Sequence, residues 1–188
     1  MPRPAVFLDR DGTLNREVNY LADPADLELI PGCAGALESL RASGFALVVA
    51  TNQSGIARGL LTEERLGVIH SRLEEMLGLR FDAIEYCPHH PEHGQPEYRK
   101  ECRCRKPEPG MLQSAARRLD LDLRASWTIG DSERDLLAGQ RAGTRGILVG
   151  TGKGEAERER MRQGGAIPEL FATDIVEAAR WVAAGQPG

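Results

Sequence analysis

Five short apolar runs punctuate the chain, at residues 4–9, 45–51, 83–87, 126–130 and 145–150, and each is nearly continuous rather than alternating. Strands of that kind are covered on both faces, which places them in a parallel sheet packed between helices. Helical patterns fill the intervals. A helix starting near Pro31 carries Ala34, Leu37 and Leu40 on one face and stops at Gly44. Thr62 reads as an N-cap before Glu63 and Glu64; Leu66, Ile69, Leu73 and Leu77 then form a stripe that ends at Gly78. Further helices fit 109–119, 133–142 and 174–184. The alternation predicts an α/β fold, a Rossmann-like three-layer α/β/α sandwich with right-handed crossovers. With 188 residues, 41% of them apolar, the chain matches one domain spanning 1–188.

Charge and hydropathy narrow the partners. Lys+Arg 24 against Asp+Glu 28 gives a net charge of -4, which disfavours a general grip on nucleic acid or an anionic membrane. No apolar stretch approaches the roughly 20 residues that span a bilayer. The first apolar run ends at once in Asp9-Arg10-Asp11, unlike a signal peptide. A cytoplasmic protein is expected, and a monomer, because no long apolar stripe is left over once the core is assigned.

In open α/β sheets, ligands bind beyond the carboxyl ends of the strands. Four polar clusters fall there: Asp9 to Thr13, Thr51-Asn52-Gln53-Ser54, a cysteine-rich loop after the third strand, and Gly130-Asp131. Asp9 and Asp11, joined by Asp131, would repel one another unless a cation neutralised them, and hard oxygen ligands suit Mg²⁺. The simpler alternative is that the two aspartates only cap a turn. Asp135, four residues after Asp131, is expected to orient a lysine or the metal ligands rather than touch substrate.

The loop at about 87–107 carries its own signature. Cys87, Cys102 and Cys104 fall within 18 residues, together with His89, His90 and His93. Cys87, His89, Cys102 and Cys104 can close a Cys₃His tetrahedron, the hallmark of structural Zn²⁺, with His90 and His93 in reserve. Redox-active thiols or plain buried cysteines are the alternative. Cys104 is followed directly by Arg105 and Lys106, so fixing the cysteine fixes both cations. His70 sits beside a helical apolar stripe and reads as packing, and the charged 153–165 segment reads as a solvated helix or mobile loop with no chemistry assigned to it.

Asp9-Arg10-Asp11-Gly12-Thr13, Thr51, Lys106-Pro107 and the run from Gly130 to Asp135 resemble, in order, the four motifs of the haloacid dehalogenase superfamily of phosphohydrolases, over about three-quarters of the chain. The resemblance implies an Asp9 nucleophile that becomes an aspartyl-phosphate and an Asp11 general acid/base. It implies that Thr51 and Lys106 hold the phosphoryl oxygens, and that Mg²⁺ is held by Asp9, the carbonyl of Asp11 and Asp131. Gaps between the motifs leave no room for a separate cap domain. Within the superfamily, Thr51 to Gly59, Cys87 to Pro91 and Cys102 to Pro107 are similar to a branch that removes the 7-phosphate of a heptose 1,7-bisphosphate in cell-envelope precursor synthesis. That similarity implies substrate contacts from Arg10, Glu17, Val18, Asn19, Tyr20, Asn52, Gln53, Ser54 and Arg105. A histidinol-phosphate branch is the enzymatic alternative; a zinc-containing phospho-Asp receiver or binding module is the non-enzymatic one.

Overall fold

A computed structural model describes residues 2–185; residue 1 and residues 186–188, at the ends of the expected 1–188 domain, lie outside the described residues. Six parallel strands form the sheet: β1 (Arg3–Leu8), β2 (Ala46–Asn52), β3 (Ala83–Cys87), β4 (Leu121–Gly130), β5 (Arg145–Val149) and β6 (Leu170–Ala172), in the order β3-β2-β1-β4-β5-β6. The strand order reverses between β1 and β4, so the switch point of this doubly wound sheet lies at the ends carrying Asp9 and Asp131.

Alternate residues of each strand feed two cores. Val6, Leu8, Leu47 and Val49 pack against helices α1 (Cys33–Ala42), α3 (Glu63–Leu77) and α7 (Ile175–Ala183) on one face. Ala5, Phe7, Ala46 and Val48 pack on the other against α4 (Gly110–Leu119), through Met111, Leu112 and Ala115. Helix α5 (Glu133–Ala142) lies beside α4 over β4 and β5. Helix α3 forms as its sequence dictates: the Thr62 side chain accepts from Arg65 N–H at 3.2 Å, and Gly78 closes the helix in the left-handed region.

Four elements differ from the sequence reading. β4 begins at Leu121 rather than 126, because its pairing with β1 is interrupted between Pro4 and Val6 and the strand bulges; Ser126 Oγ accepts from the Ala5 N–H at 2.8 Å. β6 has three residues and α2 (Ser54–Ala57) four, too short for a periodic signal, and a 3-10 turn at Pro24–Asp26 is equally brief. The 153–165 segment contains α6 (Gly154–Met161), in agreement with its reading as a solvated helix.

His70, on α3, is buried as expected for packing, and its Nε2 has no hydrogen-bond partner. Burial, with the nearby Arg10 charge adding, pushes its pKa down to about 3. Between pH 6.5 and about 3 the unfolded chain therefore binds a proton at this site that the native protein does not. Stability from neutral His70 is whole above pH 6.5 and drains as pH falls, by about 1.4 kcal/mol per pH unit. His70→Leu is expected to flatten the acid limb of a denaturant-derived stability profile by that slope; parallel wild-type and variant profiles would contradict it.

Candidate active site

Asp9 follows β1 and is buried, and its N–H donates to Ile129 O of β4 at 2.9 Å, so the switch point itself fixes it. Lys106 comes from the far end of the Cys/His loop and is also buried. Its Nζ sits 2.7 Å from Asp9 Oδ1, 2.6 Å from Asp135 Oδ1 and 2.6 Å from Ala50 O. Asp135 in turn accepts the Ser132 N–H at 3.0 Å, which ties it to the start of α5. Asp135 thus links Lys106 to the start of α5. Burial works against the lysine's charge, but Asp135 and Asp9 outweigh it and raise its pKa.

Asp11 faces a different set of partners. Arg10 grips it with Nε at 3.1 Å and Nη2 at 2.7 Å, Asn15 Nδ2 donates at 3.0 Å and Gln53 Nε2 at 2.9 Å. Burial pulls its pKa up, yet Arg10 and these hydrogen bonds hold it below the ordinary value. Asp11 therefore rests as a carboxylate, the form that accepts a proton.

Asp9, Asp131 and Asp135 bring carboxylate oxygens within 4.8 Å of one another. Asp131 Oδ1 is buried without a hydrogen-bond partner, while Oδ2 accepts the Lys153 N–H at 2.9 Å. Burial, then the charges of Asp9 and Asp135, pushes Asp131 up to about 7, and burial also raises Asp9 against the pull of Lys106. Gly12, at φ 85°, admits Asp131 to this cluster: a Cβ there would lie 2.1 Å from Asp131 Oδ2. Asp135 is held by both Lys106 and Ser132, whereas Asp131 Oδ1 and the Asp9 oxygen that Lys106 does not hold are placed to take a hard divalent cation.

The Cys/His loop closes on itself as expected. Cys87 Sγ lies 3.5 Å from Cys102 Sγ and 3.3 Å from Cys104 Sγ; Cys104 Sγ lies 2.9 Å from Cys102 Sγ and 3.4 Å from His89 Nδ1. A tetrahedral zinc with bonds of about 2.3 Å has ligand–ligand edges of about 3.7 Å, so these four atoms need move only a few tenths of an ångström. Hydrogen bonding from Cys87, with Cys102 and His89 adding, pulls Cys104 down to about 5 against burial. His90, held in reserve, lies outside this cluster: its Nδ1 accepts the backbone N–H of Glu92 and His93, and its ring stacks on His93. Tyr98 ties the loop to α3 by donating to Glu63 Oε1 at 2.8 Å.

A cavity of about 220 Å³ opens above Asp9, Asp11 and Thr51, and Glu17, Asn19, Tyr20, Gln53, Ser54 and Arg105 line it as expected. Tyr20 holds φ 70°, uncommon for a residue with a side chain, and its ring lies 5.8 Å from the Arg58 guanidinium. Three expectations change. Arg10 is fully buried beneath Asp11 and does not line the cavity, because its guanidinium is committed to that carboxylate. Val18 faces a neighbouring depression instead. Asn52 reaches the wall, but its side-chain amide is spent on the Lys106 backbone, donating to the carbonyl and accepting the N–H, each at 3.0 Å. Gln53 likewise braces the site, donating to Thr51 Oγ1 at 2.9 Å as well as to Asp11.

Sequence reasoning missed Arg58, His90, Arg134 and Lys153 as cavity residues. Lys153 overturns the assignment of no chemistry to its segment: its N–H holds Asp131 and its Nζ pairs with Glu17 at 3.0 Å. Arg58 and Arg134 lay inside motif runs and could have been noticed as cations beside strand ends.

Residues 103–178 match the family model described as HAD-hydrolase-like. The chain is 45% identical over 184 residues to the D-glycero-beta-D-manno-heptose-1,7-bisphosphate 7-phosphatase of Vibrio cholerae, covering 96% of this chain and 94% of the relative. It is 42% identical over 189 residues to the D-glycero-D-manno-heptose-1,7-bisphosphate 7-phosphatase of Thermosynechococcus vestitus, at 97% and 96% coverage. Among solved structures, the D,D-heptose 1,7-bisphosphate phosphatase of B. bronchiseptica, complexed with magnesium and phosphate, superposes with a TM-score of 0.85 at 35% identity, covering 97% of this chain and 99% of that one.

Proposed function

The chain belongs to the HAD-like family of heptose-1,7-bisphosphate 7-phosphatases, and from that premise we propose that it removes the 7-phosphate of D-glycero-D-manno-heptose 1,7-bisphosphate by way of an aspartyl-phosphate on Asp9. One observation carries the choice of a bisphosphate. The cavity that exposes Asp9 also holds Arg58, Arg105 and Arg134, none of which has an ion-pair partner among the described residues. Three guanidinium groups without a carboxylate partner in one cleft suit a ligand with more than one phosphate.

Once the Asp11 carboxylate has taken a proton from solvent, Asp9 attacks phosphorus and the bond to the sugar oxygen breaks as that oxygen receives the proton from Asp11. Water then attacks the acyl phosphate, gives its proton back to Asp11, and releases phosphate and free Asp9. The Arg10 fork favours the carboxylate of Asp11 and hence this second half-reaction. Lys106 and Thr51 hold phosphoryl oxygens. Mg²⁺ on Asp9, Asp131 and the Asp11 carbonyl would supply charge neutralisation between the nucleophile and the phosphate. Zn²⁺ on Cys87, His89, Cys102 and Cys104 would be closed to water, so its work is structural. Arg105 donates from Nη1 to His89 O at 3.1 Å, which sets this guanidinium from the zinc loop and suits it to the retained 1-phosphate.

The product, a heptose 1-phosphate, is the form needed for nucleotide activation in envelope precursor synthesis. Reduced thiols gathered for a metal suit the cytoplasm. No helix among the described residues is long and apolar enough to cross a membrane. We infer a monomer, because large exposed apolar side chains among the described residues are few: Val18, Tyr20, Leu60, Val68 and Ile167.

Phosphate release with Mg²⁺ from both anomers of the heptose bisphosphate, fructose 1,6-bisphosphate, histidinol phosphate and p-nitrophenyl phosphate tests the substrate. A kcat/KM for the heptose about 100-fold above the rest is expected, equivalent to roughly 2.7 kcal/mol of transition-state binding. The relatives' names make the β anomer the expected preference. A higher value for histidinol phosphate would overturn the assignment while leaving the mechanism.

A further inference from the structure

We propose that Arg134 binds the phosphoryl group in transit, as a phosphate clamp working opposite Lys106; this deepens, and rests on, the phosphatase reading above. Arg134 lies in the first turn of α5, between Asp131 and Asp135, and opens onto the same cavity as Asp9, Asp11 and Thr51. A cation in a helix's first turn opposes the positive end of the helix dipole, where the neighbouring Glu133 and Asp135 are the favoured kind of residue. Local rules are broken in this way where function demands it.

The side chain is charged and unengaged. No carboxylate lies within ion-pair distance of it among the described residues, and its Nε is buried with no hydrogen-bond acceptor. Burial works against its charge, yet Asp135, Asp9, Asp131 and Glu17 stand near enough to outweigh it. Lys106 has the opposite character: its Nζ donates to Asp9 Oδ1 and Ala50 O and is ion-paired with Asp135. Of the two cations beside the proposed nucleophile, only Arg134 has neither an ion-pair nor a hydrogen-bond partner among the described residues. A buried N–H without an acceptor is costly, and turning the guanidinium onto a phosphoryl oxygen removes that cost only when the phosphoryl is present. The planar fork then offers two parallel donors to one phosphate.

The position also separates its task from that of Arg58 and Arg105. Arg134 stands among the carboxylates of the reacting centre, so its ligand is the transferred phosphate. Arg105 hangs from the zinc loop and serves the retained one.

Arg134→Gln and Arg134→Lys test this, with three readouts at matched pH. These are steady-state kinetics, calorimetric titration with inorganic phosphate at saturating Mg²⁺, and calorimetric titration with Mg²⁺ alone. For Arg134→Gln the expected results are an about 100-fold lower kcat/KM, phosphate binding weakened at least about tenfold, and Mg²⁺ affinity within about threefold of wild type. Arg134→Lys keeps the charge and loses the fork, and is expected to recover about a tenth of wild-type kcat/KM. Should the glutamine variant fail to fold, the lysine variant's weakened phosphate binding still decides. Unchanged phosphate affinity in the folded variants overturns the clamp, as does a loss of Mg²⁺ affinity as large as the loss for phosphate. A wild-type protein without phosphatase turnover would instead remove the reading on which the clamp rests.

Discussion

Asp9→Asn is expected to lower phosphatase turnover by at least about 10⁴-fold while leaving the protein folded and its Cys/His cluster intact. The amide keeps the shape and the 2.9 Å backbone bond to Ile129 O, so the strand end does not move. What goes is the proposed nucleophile and one of the two carboxylates placed for a divalent cation. The substitution also removes one of the anions that hold Lys106, but Asp135 at 2.6 Å and Ala50 O keep the ammonium in place. A structural role for Asp9 would predict the reverse pattern, with lost stability and retained chemistry. Activity within about tenfold of wild type, with Mg²⁺ bound, would contradict the nucleophile assignment.

Loss of the zinc proposed for the Cys/His loop is expected to cost stability and activity together. Chelation, or Cys104→Ser, leaves Cys87, Cys102 and His89 crowded without a shared cation. A structural metal that binds only the folded form stabilises by mass action. A loss on the order of 4 kcal/mol corresponds to about 10 °C in Tm for a chain of this size. Activity follows because the loop carries the cations: Arg105 is held by His89 O, and Lys106 sits two residues after Cys104. Asn52 fastens the Lys106 backbone from the other side, so activity is expected to fall at least about tenfold rather than vanish. A protein stripped of metal with unchanged Tm and full activity would contradict the link.

The parts of this architecture legible in the sequence are those written in local spacing. Near-continuous apolar runs announced five of the six parallel strands, and the carboxylates at their ends met where the strand order reverses. Two short Cys/His pairs in one loop announced a cluster whose ligand atoms do gather. Features decided by distant partners stayed hidden. Asn52 looked like a ligand contact, yet it spends both ends of its amide on a backbone 54 residues away. Lys153 reaches the site only because β5 returns the chain beside Asp131. In each case side-chain type was readable, and the tertiary partner that decides its task was not.

The most direct test follows both phosphorus atoms of D-glycero-D-manno-heptose 1,7-bisphosphate by ³¹P NMR during turnover with Mg²⁺. The account predicts loss of the C7 phosphomonoester signal, matching growth of inorganic phosphate, and a C1 signal that persists in the product. Loss of the C1 phosphate, or no change in either signal, would contradict it.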